Sequence, residues 1–279
     1  MGLRRFVRRL IGRDQPIVPV VRLHGPIGHG PGRRGGGLNV ADLAVPLERA
    51  FKVPGAKAVA LIVNSPGGSP VQSALIARRI RLLADEKKLP VLAFCEDVAA
   101  SGGYWLAAAG DEIFVDDSSI VGSIGVIYAG FGFVELIAKL GIDRRVHTAG
   151  TRKALLDPFG PERKADVGHL KAVQGEIHAA FIDYVKARRG DRLKGDADAM
   201  FSGAFWAGRT GVAMGLADAV GDLRGVLRQR YGAKVRLVLV NPPKRRSWWR
   251  LGARQGPADW LAEIAAAAEE RALWDRFGL

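Results

Sequence analysis

Apolar and polar positions alternate along the chain with two periods, which predict strands and helices in succession. Short apolar segments predict strands over residues 18–23, 58–63, 90–94, 111–115 and 235–240. Apolar residues at helical spacing predict helices over 39–51, 71–88, 102–109, 133–140 and 165–189. The 58–63 segment is apolar throughout, as a strand covered on both faces is. We therefore expect an α/β fold with right-handed crossovers and a mainly parallel sheet.

The same pattern divides the chain into three parts. Residues 1–16 form a basic amphipathic segment, with apolar and arginine side chains on opposite faces of a predicted helix. Residues 17–241 hold the alternating strands and helices and are expected to form one domain. Residues 242–279 follow as a tail that starts with basic and aromatic residues and ends in an alanine-rich helix over 257–277.

Composition and charge narrow the function classes. The 279 residues are 48% hydrophobic and 25% charged, which excludes whole-chain disorder and permits a sizeable core. The formal net charge of +14 favours acidic partners such as anionic lipid. The single cysteine, Cys95, excludes an intrachain disulfide and a cysteine-rich zinc site. No apolar run reaches the ~18 residues that a membrane-spanning helix needs.

Basic residues form clusters near the two ends of the chain. The 1–16 segment fits either an interfacial membrane helix or a solvated tail that docks on the protein, and the pattern leaves both open. The 244–254 stretch carries Trp248 and Trp249, which suit contact with lipid headgroups. No known nucleic-acid motif occurs, so no nucleic-acid partner is expected.

Two glycine-rich turns follow predicted strands and are the first candidates for chemistry. Asn64-Ser-Pro-Gly-Gly68 follows one strand, and Ala99-Ala-Ser-Gly-Gly103 follows the next. In open α/β sheets, ligands bind beyond the carboxyl ends of the strands, so both turns lie where a site is expected. Ser101 fits a nucleophile at the start of a helix, but the residues alone favour the commoner role of a helix N-cap.

A serine hydroxyl is a weak nucleophile and needs a neighbouring base. No histidine of the chain lies in a recognisable catalytic motif, so a Ser-His-Asp triad is possible but has no support from the sequence. Each histidine also fits an ordinary surface or core position. The histidines are His24, His29, His147, His169 and His178.

Four segments in order resemble the bacterial signal peptide peptidase A family, particularly its short SohB-like branch. These segments are AVALIVNSPGGSP, EDVAASGGYWLAAAGDEIFV, SSIVGSIGVI and HTAGTRKALLDPFGPE, and the resemblance covers about residues 18–232. It implies a ClpP/crotonase-like superhelix of ββα units and a serine endopeptidase with a Ser-Lys dyad. It implies no metal or organic cofactor.

The resemblance also assigns roles to residues of this chain. Ser101 corresponds to the nucleophile, Lys153 to the general base and Ser123 to the hydroxyl that orients the lysine. The lysine must be uncharged to accept the serine proton, which a water-poor pocket favours. The backbone N–H groups that correspond to the oxyanion hole are those of Gly67, Gly68 and Gly102.

Further expectations follow from the same resemblance. Short members of the family bring serine and lysine together across subunits, so we expect a homo-oligomeric ring, such as an octamer. Substrates would be signal peptides, other short peptides or misfolded proteins. We expect a cytoplasmic protein, either free or held at the inner face of the bacterial inner membrane through its basic ends.

Two other functions remain open from the residues. A crotonase-type acyl-CoA enzyme shares the glycine turns and the sheet, and it would use carboxylates such as Glu96 and Asp97 near the Ser101 turn. A catalytically inactive scaffold of the same fold at the membrane surface would need none of these side chains.

Overall fold

The computed structural model describes residues 15–28, 37–241, 268 and 271–279. Nearly all of the predicted basic segment over 1–16 lies outside the described residues. The same is true of the tail from 242 to 267 and of its basic-aromatic stretch.

Strands of the described chain form one eight-stranded sheet in the order β6-β5-β3-β2-β1-β8, with β4 paired to β3 and to β7. All pairings are parallel except the antiparallel pair β5–β6. The predicted mainly parallel sheet is confirmed. The strands are β1 (Ile17–His24), β2 (Val59–Ser65), β3 (Val91–Ala100), β4 (Glu112–Val115), β5 (Ile120–Gly122), β6 (Phe205–Ala207), β7 (Ala219–Val220) and β8 (Arg236–Leu239).

Helices connect the strands and cover the sheet. Those that pack their apolar residues on one face of it contribute Leu47, Ile76, Ile80 and Leu106 to the larger core, and all four side chains are fully buried. The helices are α1 (Val40–Phe51), α2 (Pro70–Lys87), α3 (Gly102–Ala107), α4 (Val134–Lys139), α5 (Lys164–Arg189), α6 (Ala197–Met200), α7 (Gly208–Ala213) and α8 (Leu223–Tyr231), with a 3₁₀ turn at Gly190–Arg192.

Strand β3 extends beyond the predicted 90–94 segment, and this extension shapes the site. Its first half pairs with β4 through Leu92–Phe94, and its last residues pair with β5 through Val98–Ala100. A register shift against β2 lies between these two halves. The pattern predicted an earlier end because the exposed pair Glu96 and Asp97 interrupts the apolar run.

Helix α5 is anchored at its C-terminal end by a buried ion pair. The Arg189 side chain is 1% exposed and donates to both carboxylate oxygens of Asp218, at 2.8 and 3.1 Å. Asp218 also accepts the backbone N–H of Ile113 in β4. Burial alone would raise the pKa of Asp218, but these hydrogen bonds and the nearby arginine charges hold it below its usual value. The pair joins the helix to the sheet.

The segment between β5 and α5 packs differently from the rest of the domain. No residue from 127 to 153 is buried, so helix α4 within this segment contributes no side chain to the core. Large apolar side chains are exposed along it, including Ile127 (68%), Phe131 (80%) and Leu140 (64%). We call residues 127–153 the apolar arm.

Candidate active site

The turn after β2 brings its backbone against the turn after β3. Ile27 holds it in place, because the Ile27 N–H donates to the Gly67 carbonyl at 2.7 Å and the Ser69 N–H donates to the Ile27 carbonyl at 2.8 Å. Gly67 has φ +102°, and a Cβ there would lie 2.8 Å from the Ser101 Cβ and 2.8 Å from the Gly102 nitrogen. Only glycine allows this close approach without strain.

Ser101 stands where β3 ends and α3 begins, with φ +53° and ψ −123°. Positive φ at a residue other than glycine is costly and persists only where the surroundings enforce it. Here the Ser101 N–H donates to the Gly122 carbonyl at 2.8 Å, and the Ser101 carbonyl accepts from the Trp105 N–H at 3.0 Å. The side chain makes no capping hydrogen bond. Ser101 therefore stands at the N-cap position of α3 without using its hydroxyl to cap the helix.

Ser123 leaves β5 in the same way that Ser101 leaves β3. Ala100 and Gly122 are partners in the sheet register, so the two serines follow a matched pair. Ser123 also has a positive φ, +52°, and the residue is buried, with 7% of its surface exposed. Its N–H donates to the Ala204 carbonyl at 2.7 Å.

Ser101 and Ser123 line one cavity of about 560 Å³. Gly68 contributes its backbone to the same cavity, and the C-terminal residues Leu273 and Arg276 close one side of it. The remaining wall combines the apolar residues Pro66, Pro70, Val126 and Ile127 with polar ones such as His178 and Ser202. Such a cavity suits an extended ligand that has both apolar and polar groups.

The three glycines proposed as oxyanion donors differ in their hydrogen bonds. The Gly67 N–H donates to the Ser65 hydroxyl at 3.2 Å. Within the described part of the chain, the N–H groups of Gly68 and Gly102 have no hydrogen-bond acceptor. Gly102 is the first residue of α3, where backbone N–H groups have no partner within the helix. Of the three glycines, Gly68 and Gly102 thus have N–H groups without an acceptor among the described residues, and the oxyanion role of these groups stays a prediction.

Lys153 is not brought to this cavity by its own chain. It lies in a turn on the apolar arm, its side chain is exposed, and it is not among the described residues that line the cavity. The loop is braced nearby, because the Arg144 guanidinium donates to both carboxylate oxygens of Asp157. The backbone N–H of Phe159 and this arginine hold the pKa of Asp157 below its usual value. A water-poor setting for Lys153 stays a prediction about an assembled protein.

Carboxylates of the acyl-CoA alternative lie elsewhere. Glu96 and Asp97 are exposed, and neither is among the described residues that line the cavity. Glu96 lies 3.6 Å from the Arg22 guanidinium, and Asp97 accepts the Asn64 side-chain amide at 2.6 Å. His178 lines the cavity together with the two serines, and the sequence alone assigned it no role there. No motif marks His178, since it stands in a long helix whose pattern indicates packing only.

The part of the chain that the structure describes contains no cluster of histidine, cysteine and carboxylate side chains that could hold a metal ion. None of its helices is long and apolar enough to cross a membrane.

Comparison with known proteins identifies the family of the chain. The sequence model of peptidase family S49 matches residues 84–234, more than half of the chain. The chain belongs to peptidase family S49. This confirms the resemblance to a peptidase family. Serine protease SPPA, chloroplastic, from Arabidopsis thaliana is 32% identical over 227 residues, covering 80% of this chain and 33% of that protein.

Two further matches concern a longer relative and a solved structure. A protein from Brucella abortus (strain 2308) named Na(+)/H(+) antiporter NhaA is 50% identical over 288 residues, covering 99% of this chain and 39% of that protein. A lysine-to-alanine mutant of the 1510-N membrane-bound stomatin-specific protease, in complex with a substrate peptide, superposes with a TM-score of 0.50 at 14% identity, covering 91% of this chain and 99% of that one. That likeness confirms the ClpP/crotonase-like fold.

Proposed function

We propose that this S49 peptidase is an endopeptidase that uses a Ser-Lys dyad of Ser101 and Lys153. One observation carries the proposal: Ser101 has a positive φ, its hydroxyl makes no capping hydrogen bond, and it lines a cavity that Ser123 also lines. Two free backbone N–H groups, those of Gly68 and Gly102, lie on the turns that meet at this serine. This arrangement suits nucleophilic attack on a peptide carbonyl.

Each group has a step in the reaction. The Ser101 Oγ attacks the carbonyl carbon while its proton passes to the uncharged amine of Lys153, which Ser123 orients. The oxyanion that forms accepts hydrogen bonds from the Gly68 and Gly102 N–H groups. The intermediate collapses, the lysine returns the proton to the departing amine, and an acyl-serine remains. Water, activated by the same lysine, then releases the acyl group as a carboxylic acid.

The lysine is supplied by a neighbouring protomer in a homo-oligomeric ring, such as an octamer. The apolar arm supports this part of the proposal, since exposed apolar surface on this scale is typical of an interface. Lys153 lies at one end of that arm. Burial of the arm against a second copy would remove Lys153 from water, which favours its uncharged form.

Substrates would be extended peptides with small or apolar side chains near the cut, such as signal peptides or segments of misfolded proteins. The apolar residues of the cavity wall, Pro66, Pro70, Val126 and Ile127, support this choice. This chain also matches part of a protein named as an antiporter. Because the peptidase family model matches residues 84–234 of this chain, we assign hydrolysis rather than transport to the chain. The basic ends would hold the enzyme at an anionic membrane surface; unchanged liposome flotation after deletion of residues 1–13 would contradict that role for the N-terminal end.

Peptide cleavage by matched variants tests the dyad. We expect Ser101→Ala and Lys153→Ala to lose activity at unchanged oligomeric state. The exposed Ser118→Ala and Lys171→Ala serve as controls and should keep wild-type rates. Peptide cleavage retained in Ser101→Ala would refute Ser101 as the nucleophile, whereas turnover of an acyl-CoA that tolerates Ser101→Ala would favour the acyl-CoA enzyme. Absence of labelling by a serine-reactive probe in the assembled wild type would favour the inactive scaffold.

A further inference from the structure

His178 reaches from helix α5 to the turn that carries Ser123. Its Nε2 atom lies 2.9 Å from the carbonyl oxygen of Ile124. A carbonyl only accepts hydrogen bonds, so the ring must carry its proton on Nε2 to make this contact. The half-buried imidazole also lines the cavity that holds both serines.

The face of α5 that carries His178 is fixed relative to Ser101. Phe181 and Val185 share that face and are buried, at 2% and 0% exposure. Phe181 stacks on Trp105 with ring centroids 4.5 Å apart, and Trp105 belongs to α3, the helix that begins directly after Ser101. The position of His178 is thus tied to the nucleophile through packed aromatic rings.

The Ser123 turn is held mainly by backbone contacts, and His178 adds a side-chain one. Ser101 N–H donates to the carbonyl of Gly122, and Ser123 N–H donates to that of Ala204. Because Ser123 has positive φ, the turn needs such contacts to keep its conformation. The imidazole fixes the following carbonyl, of Ile124, and so limits how the turn can rotate.

We propose that His178 is a positioning residue, which holds the Ile124 carbonyl and thereby keeps the Ser123 hydroxyl in the cavity that it shares with Ser101. The proposal rests on the role given to Ser123 and Ser101 in the proposed function. Loss of this hydrogen bond displaces a hydroxyl needed during proton transfer, while the apolar wall that binds peptide stays in place. The effect therefore falls on kcat and not on KM.

Steady-state peptide hydrolysis by His178→Leu and His178→Gln tests this role. His178→Leu should lower kcat about tenfold with KM within about twofold of wild type. His178→Gln keeps an N–H donor near the Nε2 position and should restore kcat to within about threefold. His169→Leu is the matched control, since His169 is exposed on the opposite side of α5, and it should match wild type.

Three results would overturn the proposal. One is a higher KM with unchanged kcat in His178→Leu, which would make His178 a substrate-binding residue. Another is an equal loss in the leucine and glutamine variants, and the third is wild-type kcat in both. Melting temperature, oligomeric state and probe-labelled fraction are measured on each variant, and rates are expressed per labelled serine so that unfolded protein does not count. Ser101→Ala in the same assay separates this failure from failure of the dyad.

Discussion

Mixed rings of two inactive variants test whether each active site is shared between protomers. In the structure, Lys153 is exposed on the apolar arm and lies outside the cavity that holds Ser101. Ser101→Ala still supplies the lysine, and Lys153→Ala still supplies the serine. In a ring with head-to-tail contacts, random mixing of equal amounts places both intact groups at about one quarter of the sites. Each variant alone should fall by about 10³-fold or more.

A second mixture gives the matched control. Wild type is combined in equal amounts with the double variant Ser101→Ala/Lys153→Ala. If each site takes its serine and lysine from different protomers, this mixture also retains about one quarter of wild-type sites, whereas a site within one chain would retain about half. Co-expression with two affinity tags and sequential purification selects mixed rings. Initial rates of peptide cleavage, divided by protomer concentration, then report the active fraction.

The two mixtures together decide the question. Recovery in the first mixture shows that the serine of one protomer works with the lysine of another. An inactive first mixture together with half activity in the second would refute the shared site, because the dyad would then lie within one chain. Native mass spectrometry of the purified rings verifies that both variants are present in each.

Three further changes test the scaffold of the site. Gly67→Ala should lower kcat at least about tenfold, because its Cβ would lie 2.8 Å from the Ser101 Cβ; wild-type kcat in a peptide assay would contradict this. Trp105→Ala should lower the free energy of unfolding by about 3–5 kcal/mol in denaturant titration, since its stacked ring is buried; a loss below about 1 kcal/mol would refute it. Asp218→Asn should lower the melting temperature near neutral pH. Because the pKa of Asp218 is held low in the fold, its contribution is present above the usual aspartate pKa and is lost as pH falls, so the two melting curves should converge below about pH 4. A difference that stays constant down to pH 3 would contradict the pair.

The sequence predicted the strands and helices whose pattern runs for a full period or more. The 58–63 segment became β2 (Val59–Ser65), and the 165–189 helix became α5 (Lys164–Arg189). Strands of two or three residues, such as β5 and β7, were not predicted, because two or three positions are too few to show a periodic pattern.

Some residues of the candidate site were predictable from the sequence pattern and others were not. The pattern located the two glycine turns, because each follows an apolar strand and marks its carboxyl end. Ser123 and Lys153 came from the resemblance alone. His178 was not predicted as a site residue, because a histidine in an amphipathic helix carries no local sequence signal. The surroundings proposed for Lys153 are not provided by the single chain.

The pairing of β3 with β5 explains why two serines distant in sequence share one cavity. Ala100 faces Gly122 in the register, so Ser101 and Ser123 are the next residues on adjacent parallel strands. Both leave the sheet with nearly the same positive φ, +53° and +52°. Successive side chains of a strand point to opposite faces, so a slip of one residue in this pairing would send one hydroxyl away from the other. The site therefore depends on β3 leaving β4 after Phe94, where Glu96 and Asp97 interrupt its apolar run.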